Sequence, residues 1–137
     1  MDSLDRDILD ILRRDARTPY TEIAGQVGTS EGTVRNRVDR LVSEGVIERF
    51  TIATRTGNVK AMLEVGVDVN VDTTGISERM AEWEDVDFVW QVSGEDLVLV
   101  VDAADTKRVN ALITRAREQE EVISTKTRLI LDERLGT

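Results

Sequence analysis

The hydrophobic period of this 137-residue chain changes once, near Val46. Before that point apolar side chains recur every three or four residues; beyond it they alternate. The two periods exclude each other, because an α-helix returns to one face every 3.6 residues and a strand every two. The chain is therefore expected to hold a helical block, residues 1–46, and a strand-bearing block, residues 59–137. A linker strand and hinge, residues 47–58, would join them.

The helical block divides into three. Ser3 is placed to cap a helix that lines up Leu4, Ile8, Ile11 and Leu12 on one face. Pro19 precedes a second helix, capped by Thr21, with Ile23, Ala24 and Val27 inward. Gly28 follows at once, where a helix end favours a residue tolerant of positive φ. Ser30 caps a third helix with Val34, Val38, Leu41 and Val42 inward, and Gly45 ends it. Two helices joined through a glycine turn, with a third behind them, form the helix-turn-helix pattern. So short a block buries too little surface to be secure alone and needs support from the rest of the chain or from a second copy.

Val46 to Ala53 reads as a strand, and Thr54 to Asn58 as a hinge. Val59 to Val71 then alternates, with Ala61, Leu63, Val65, Val67, Val69 and Val71 on one side. A short helix carrying Ile76, Met80 and Trp83 follows. Val86–Val92 returns to strand, with Phe88, Trp90 and Val92 on one side. Leu97–Val101 is apolar on both faces, as a central strand requires. Asp105 or Thr106 caps a helix with Val109, Leu112, Ile113 and Ala116 inward, and Val122–Leu131 is the last strand. Strand, helix, strand, strand, helix, strand is the ferredoxin-like order. The fold class is α+β: a winged or three-helix helix-turn-helix domain, then a βαββαβ domain. Two helices cover one face of four strands. The other face, expected to carry Val89, Val98, Val100, Ile123 or Leu129, calls for a second sheet and hence a homodimer.

Chemistry is narrowed by what is missing. The chain has no Cys and no His, which removes disulfides, Cys/His zinc sites, a His base and a Cys nucleophile. Carboxylate, Ser or Lys chemistry and oxygen-ligand metal sites stay formally open, but no calcium-loop, phosphate-cradling or dinucleotide motif occurs; no cofactor and no enzymatic activity is expected. No apolar run approaches the roughly 18 residues of a membrane span, and the acidic start is no targeting signal. A cytoplasmic protein without membrane partners is expected. The net charge of −9 lies almost wholly beyond residue 55, and only three of the 18 basic residues are Lys. That balance resembles proteins of salt-accumulating organisms, although a generic solubilising surface has the same composition.

The third helix would turn Gly32, Thr33, Arg35, Asn36, Asp39 and Arg40 outward, with Arg37 on the flank. Arginine forks pair with guanine or phosphate, and Asn pairs with adenine. The helix start at Ser30 offers free N–H groups to a phosphate. Alone, this is a solvated helix face or a duplex-reading one. On the second helix of a glycine-turn pair, the duplex-reading surface is favoured, formed by Ser30, Gly32, Thr33, Arg35, Asn36, Arg37 and Arg40. Elsewhere, the turn Gly94-Glu95-Asp96 and the pair Thr125-Lys126 carry the opposite charges an amino acid would need. An ordinary hairpin and polar edge strand also account for them.

Taken together, the segments Leu4-Asp5-Arg6-Asp7-Ile8-Leu9, Val27-Gly28-Thr29-Ser30, Arg37-Val38-Asp39-Arg40-Leu41 and Glu44-Gly45-Val46-Ile47 resemble the Lrp/AsnC (feast/famine) family. So do Val92-Ser93-Gly94 and Ser124-Thr125-Lys126-Thr127 in the second block. The resemblance implies a transcriptional regulator that binds double-stranded DNA and responds to a small amino acid or related metabolite. It implies dimers that assemble further, commonly to octamers, and a pocket lined by Gly94, Glu95, Asp96 and the strand around Thr125. The composition suggests a haloarchaeal member. A metabolite-binding oligomer without a DNA role is the alternative. Haem-pathway decarboxylases that resemble the family are expected to use His, which this chain lacks.

Overall fold

The computed structural model describes residues 1–94 and 96–136. They fall into two compact units, Met1–Thr54 and Arg55–Gly136.

The first unit contains helices α1 (Ser3–Arg14), α2 (Tyr20–Val27) and α3 (Glu31–Ser43). Their inward stripes meet in one core of Ile8, Leu12, Ile23, Ala24, Val34 and Val38, with Leu4, Ile11, Tyr20, Val27 and Ile47 against it. The helix ends follow backbone chemistry. Gly28 takes φ 77°, and the N–H groups of Gly28 and Thr29 both bond the Ala24 carbonyl, closing α2. Ser30 accepts the Thr33 N–H at 3.2 Å and opens α3. Gly45, φ 75°, turns the chain off α3.

Three expectations are corrected here. The cap of α1 is Asp2, not Ser3: Asp2 and Asp5 exchange side-chain-to-backbone bonds in a capping box. Helix α2 starts at Tyr20, with Pro19 in the cap position and no side-chain cap bond. Residues 46–58 form no strand, and no wing is present among the described residues. The 46–53 segment has strand-like alternation but, among the described residues, no neighbouring strand to complete a ladder. Phe50 and Ile52 stay exposed.

The second unit contains β1 (Val59–Val67), α4 (Thr73–Ala81), β2 (Val86–Gln91), β3 (Asp96–Ala103), α5 (Thr106–Arg117) and β4 (Val122–Leu129). The strands form one antiparallel sheet, order β2-β3-β1-β4. Asp72 caps α4 and Asp105 caps α5. One sheet face packs Ala61, Leu63, Val65, Val67, Leu97, Leu99, Val101 and Ala103 against Ile76, Met80, Trp83, Val109, Leu112 and Ala116.

Strand β1 stops at Val67, four residues short of the expected end. A register shift falls between Gly66 and Val67, and Asp68 then binds the Asn70 N–H in a local turn. Val69 is left exposed. The membership of the open face also changes. A register shift between Val86 and Phe88 puts Val89 opposite Leu99, so Val89 packs into the helix-covered core. Leu129 pairs with Ala61 and shares that face, at its exposed edge. The open face carries Met62, Phe88, Trp90, Val98 and Val100. Phe88 and Trp90 lie 6.0 Å apart between ring centroids, and both are about half exposed.

Candidate functional site

Helix α3 buries Val34, Val38 and Leu41, and this fixes which side chains it presents. Gly32, Arg35, Asn36, Asp39 and Arg40 are exposed, while Thr33 and Arg37 are partly covered. At the start of the helix, the Ser30 and Thr33 hydroxyls are 2.9 Å apart, so both polar groups sit at the free amide end. Arg35 pairs with Glu31 one turn earlier, and its guanidinium lies 5.9 Å over the Tyr20 ring of α2. That position holds the guanidinium between Glu31 of α3 and Tyr20 at the start of α2 while its side chain stays more than half exposed.

The other two arginines of α3 are engaged differently. Arg37 Nη1 donates to Asp2 Oδ2 at 2.6 Å and to Asp5 Oδ1 at 3.2 Å. Arg40 Nη2 donates to both Asp5 oxygens, at 3.3 and 3.0 Å. Asp5 is only 1% exposed. It is a buried carboxylate held by two cations from another helix, which is how such a charge is tolerated. Hydrogen bonding from Arg37, then from the Asp5 N–H, lowers the Asp2 carboxyl to a pKa of about 2. The Asp2 and Asp5 carboxylates in turn raise that of Arg37. Arg37, expected as part of the duplex-reading surface, therefore also ties α3 to α1. Periodicity places Arg37 and Arg40 on α3 but says nothing of what they meet. The signal was the acidic pair Asp2 and Asp5 at the start of α1, which a reading that caps that helix with Ser3 leaves unused.

In the second unit, the sites expected for an effector separate onto two faces. Lys126 stands opposite Glu64, and Ser124 opposite Gly66, which on its other side faces Asp96. Ser124, Lys126 and Asp96 therefore share the open face. Thr125 points the other way and accepts a hydrogen bond from Arg117 Nε at 2.9 Å. Gly94, with φ 94°, shapes the turn that delivers Asp96 to β3; Glu95 lies outside the described residues. A Cβ on Gly66 would run into Ser124 Oγ and lie 3.7 Å from Asp96 Oδ1. Gly66 thus forms the floor of a recess between Ser124 and Asp96. Gly66 was missed at the sequence level, and Ser124 was passed over for Thr125; strand alternation separates the two neighbours. No cluster of metal-ligating side chains occurs among the described residues. No described helix is long and apolar enough to cross a membrane.

Comparison with known proteins covers both units. Residues 1–42 match the AsnC-type helix-turn-helix domain, and residues 60–136 match the Lrp/AsnC ligand binding domain. The chain is 36% identical over 133 residues to the HTH-type transcriptional regulator LysM of Sulfurisphaera tokodaii, spanning 96% of this chain and 95% of that protein. The crystal structure of MtbAldR superposes with a TM-score of 0.86 at 27% identity, over 99% of this chain and 95% of that one. A Neisseria meningitidis transcriptional regulator, solved as its L-Met complex, shares the fold at a TM-score of 0.78 and 17% identity, over 100% of this chain and 94% of that one.

Proposed function

Because this chain belongs to the Lrp/AsnC family of helix-turn-helix transcriptional regulators, we propose that α3 reads the major groove through Thr33, Arg35 and Asn36. The observation that carries this reading is the exposed outer face of α3, set over a glycine turn and a Ser-capped amide end. Arg35 presents a planar fork suited to guanine O6 and N7, and Asn36 an amide suited to adenine N6 and N7. Ser30 and the first amides of α3 receive a phosphate, and Gly32 leaves room for the backbone to approach. Arg37 and Arg40 serve the interface by holding α3 against α1.

The second unit accepts a small amino acid or related metabolite. Asp96 and Ser124, around the Gly66 recess and beside the Gly94 turn, suit the ammonium group; Lys126 suits the carboxylate. The relative solved with L-Met supports an effector of this class. Thr125 has no place in this arrangement, since its hydroxyl is taken by Arg117. The apolar open face around Phe88, Trp90 and Val100 suits a homodimer formed by sheet-on-sheet packing. Further assembly to an octamer would bring effector sites of adjacent dimers together. The protein works in a cytoplasm, and its acidic surface suits one rich in salt.

The test is enrichment of duplexes from a random library by the full-length protein, followed by Arg35→Ala and Asn36→Ala on the enriched duplex. Losses of about 1–3 kcal/mol each, with relaxed sequence preference, are expected. Wild-type affinity in both variants, or no enrichment at all, contradicts the reading. The second outcome would favour a metabolite-binding oligomer.

A further inference from the structure

We propose that Asp5 is a positioning residue for DNA recognition: it withholds two arginines of α3 from the phosphate backbone, so that binding relies on base reading more than on charge. This rests on the reading that α3 faces the duplex. Helix α3 carries three arginines, and a duplex-facing helix with three free guanidinium groups would hold any sequence. Asp5 changes that balance. Its carboxylate is buried, is fixed to Asp2 through the capping box, and receives Arg37 on one side and Arg40 on the other. Arg37 is gripped twice, because Asp2 also takes its Nη1. Arg40 is held by Asp5, with Glu44 at 4.0 Å from its Nε. Of the three, Arg35 has no ion pair to α1 among the described residues; its partner Glu31 lies on α3 itself.

The device has two consequences. The α1–α3 bridges set the rotation of α3 about its own axis, and so decide which side chains reach a groove. They also neutralise charge that would otherwise gather on phosphates without regard to sequence. A residue that merely stabilised the unit would lower specific and non-specific binding together when replaced. Asp5 is expected to move them in opposite directions.

The experiment uses the full-length protein and two probes: a 40-base-pair mixed-sequence duplex, and the duplex that wild-type protein enriches from a random library. Affinities are measured from 50 to 200 mM KCl. Each phosphate newly paired steepens the logarithmic salt slope by about 0.9. Asp5→Asn is expected to steepen the slope on the mixed-sequence duplex by about 0.9 per bound subunit, as Arg40 is released. Asp2→Asn with Asp5→Asn is expected to steepen it by about 1.8 per bound subunit, a further loss of about twelve-fold for each subunit across this salt range. Both variants bind the mixed-sequence duplex more tightly at 50 mM and discriminate less for the enriched one. A helical Asp5→Asn protein with an unchanged slope and an unchanged ratio overturns the proposal. If that variant fails to fold, Arg40→Gln decides: an unchanged slope supports the proposal, and a slope shallower by about 0.9 per bound subunit overturns it. Failure of wild-type protein to enrich any duplex would overturn the DNA reading itself, and is distinct from either result.

Discussion

Asp2 stands before α1, exposed, yet its carboxyl is held near a pKa of about 2 by the Arg37 guanidinium and the Asp5 N–H. In the unfolded chain the group titrates at its ordinary 3.8. Above that pH it is ionised in both states and its contribution to stability is fully present. As pH falls from 3.8 towards 2 the unfolded chain takes up the proton first, and the contribution is lost. Following α1 amide signals in an acid titration should show the helix start loosening in this window. Asp2→Asn should remove that step and leave the later ones. Arg37→Ala is expected to lower the urea midpoint of the first unit, because it strips charged hydrogen bonds from Asp2 and buried Asp5. Gly28→Ala, at φ 77°, is expected to cost about 1–2 kcal/mol, since that backbone is strained for any side chain. The roles of Gly28, Gly45 and Ser30 were legible in the sequence because each depends only on its neighbours. The pairing of Asp5 with Arg37 and Arg40 was not, because it spans more than thirty residues and no local pattern encodes it.

Among the elements, α3 and β1 were the most readable. Helix α3 shows an apolar stripe at 3.6-residue spacing, and its outer face followed from that, although Val42, expected inward, is left nearly half exposed. Strand β1 alternates through four buried residues on one side. What periodicity cannot supply is a pairing partner or a register. The 46–53 segment reads as a strand yet finds no ladder in this chain. The shift between Val86 and Phe88 moved Val89 to the covered face, although Phe88 and Trp90 stay on the open one. Gly66 lies on the floor of the open-face recess, where the sequence shows only an alternating polar position. Gly66→Ala should leave the unit folded, because Ser124 Oγ can rotate away, and should abolish binding of amino acids between Ser124 and Asp96. Calorimetry with a panel of amino acids, including L-Met, checks this. Unaltered binding of a ligand that wild-type protein takes up would place the effector elsewhere.

At the scale of the molecule, two bodies with different charge answer to different forces. Nearly all the net charge of −9 lies beyond residue 55, while the helical unit is close to neutral. Screening shortens the reach of that acidity to about 8 Å at physiological salt and about 3 Å at 1 M. Local contacts at α3 then decide DNA binding. With Arg37 and Arg40 engaged by α1, the wild-type affinity for DNA should fall with salt less steeply than three arginines per helix would suggest. The open sheet face predicts that Trp90→Glu with Phe88→Asp converts a dimer to a monomer in sedimentation equilibrium. A dimer that survives both changes would move the interface to another surface. The two-unit architecture was readable from the change of period, whereas assembly beyond the dimer depends on surfaces that no single chain displays.

The central claim is that paired copies of α3 lie in successive major grooves, with Arg35 and Asn36 against the bases. Guanine-N7 methylation protection on the duplex enriched by wild-type protein tests it most directly. The account predicts two protected patches in the major groove, centred about one helical turn apart, and their loss in Arg35→Ala. No protected guanine N7 on that duplex, or patches that persist unchanged in Arg35→Ala, would contradict it.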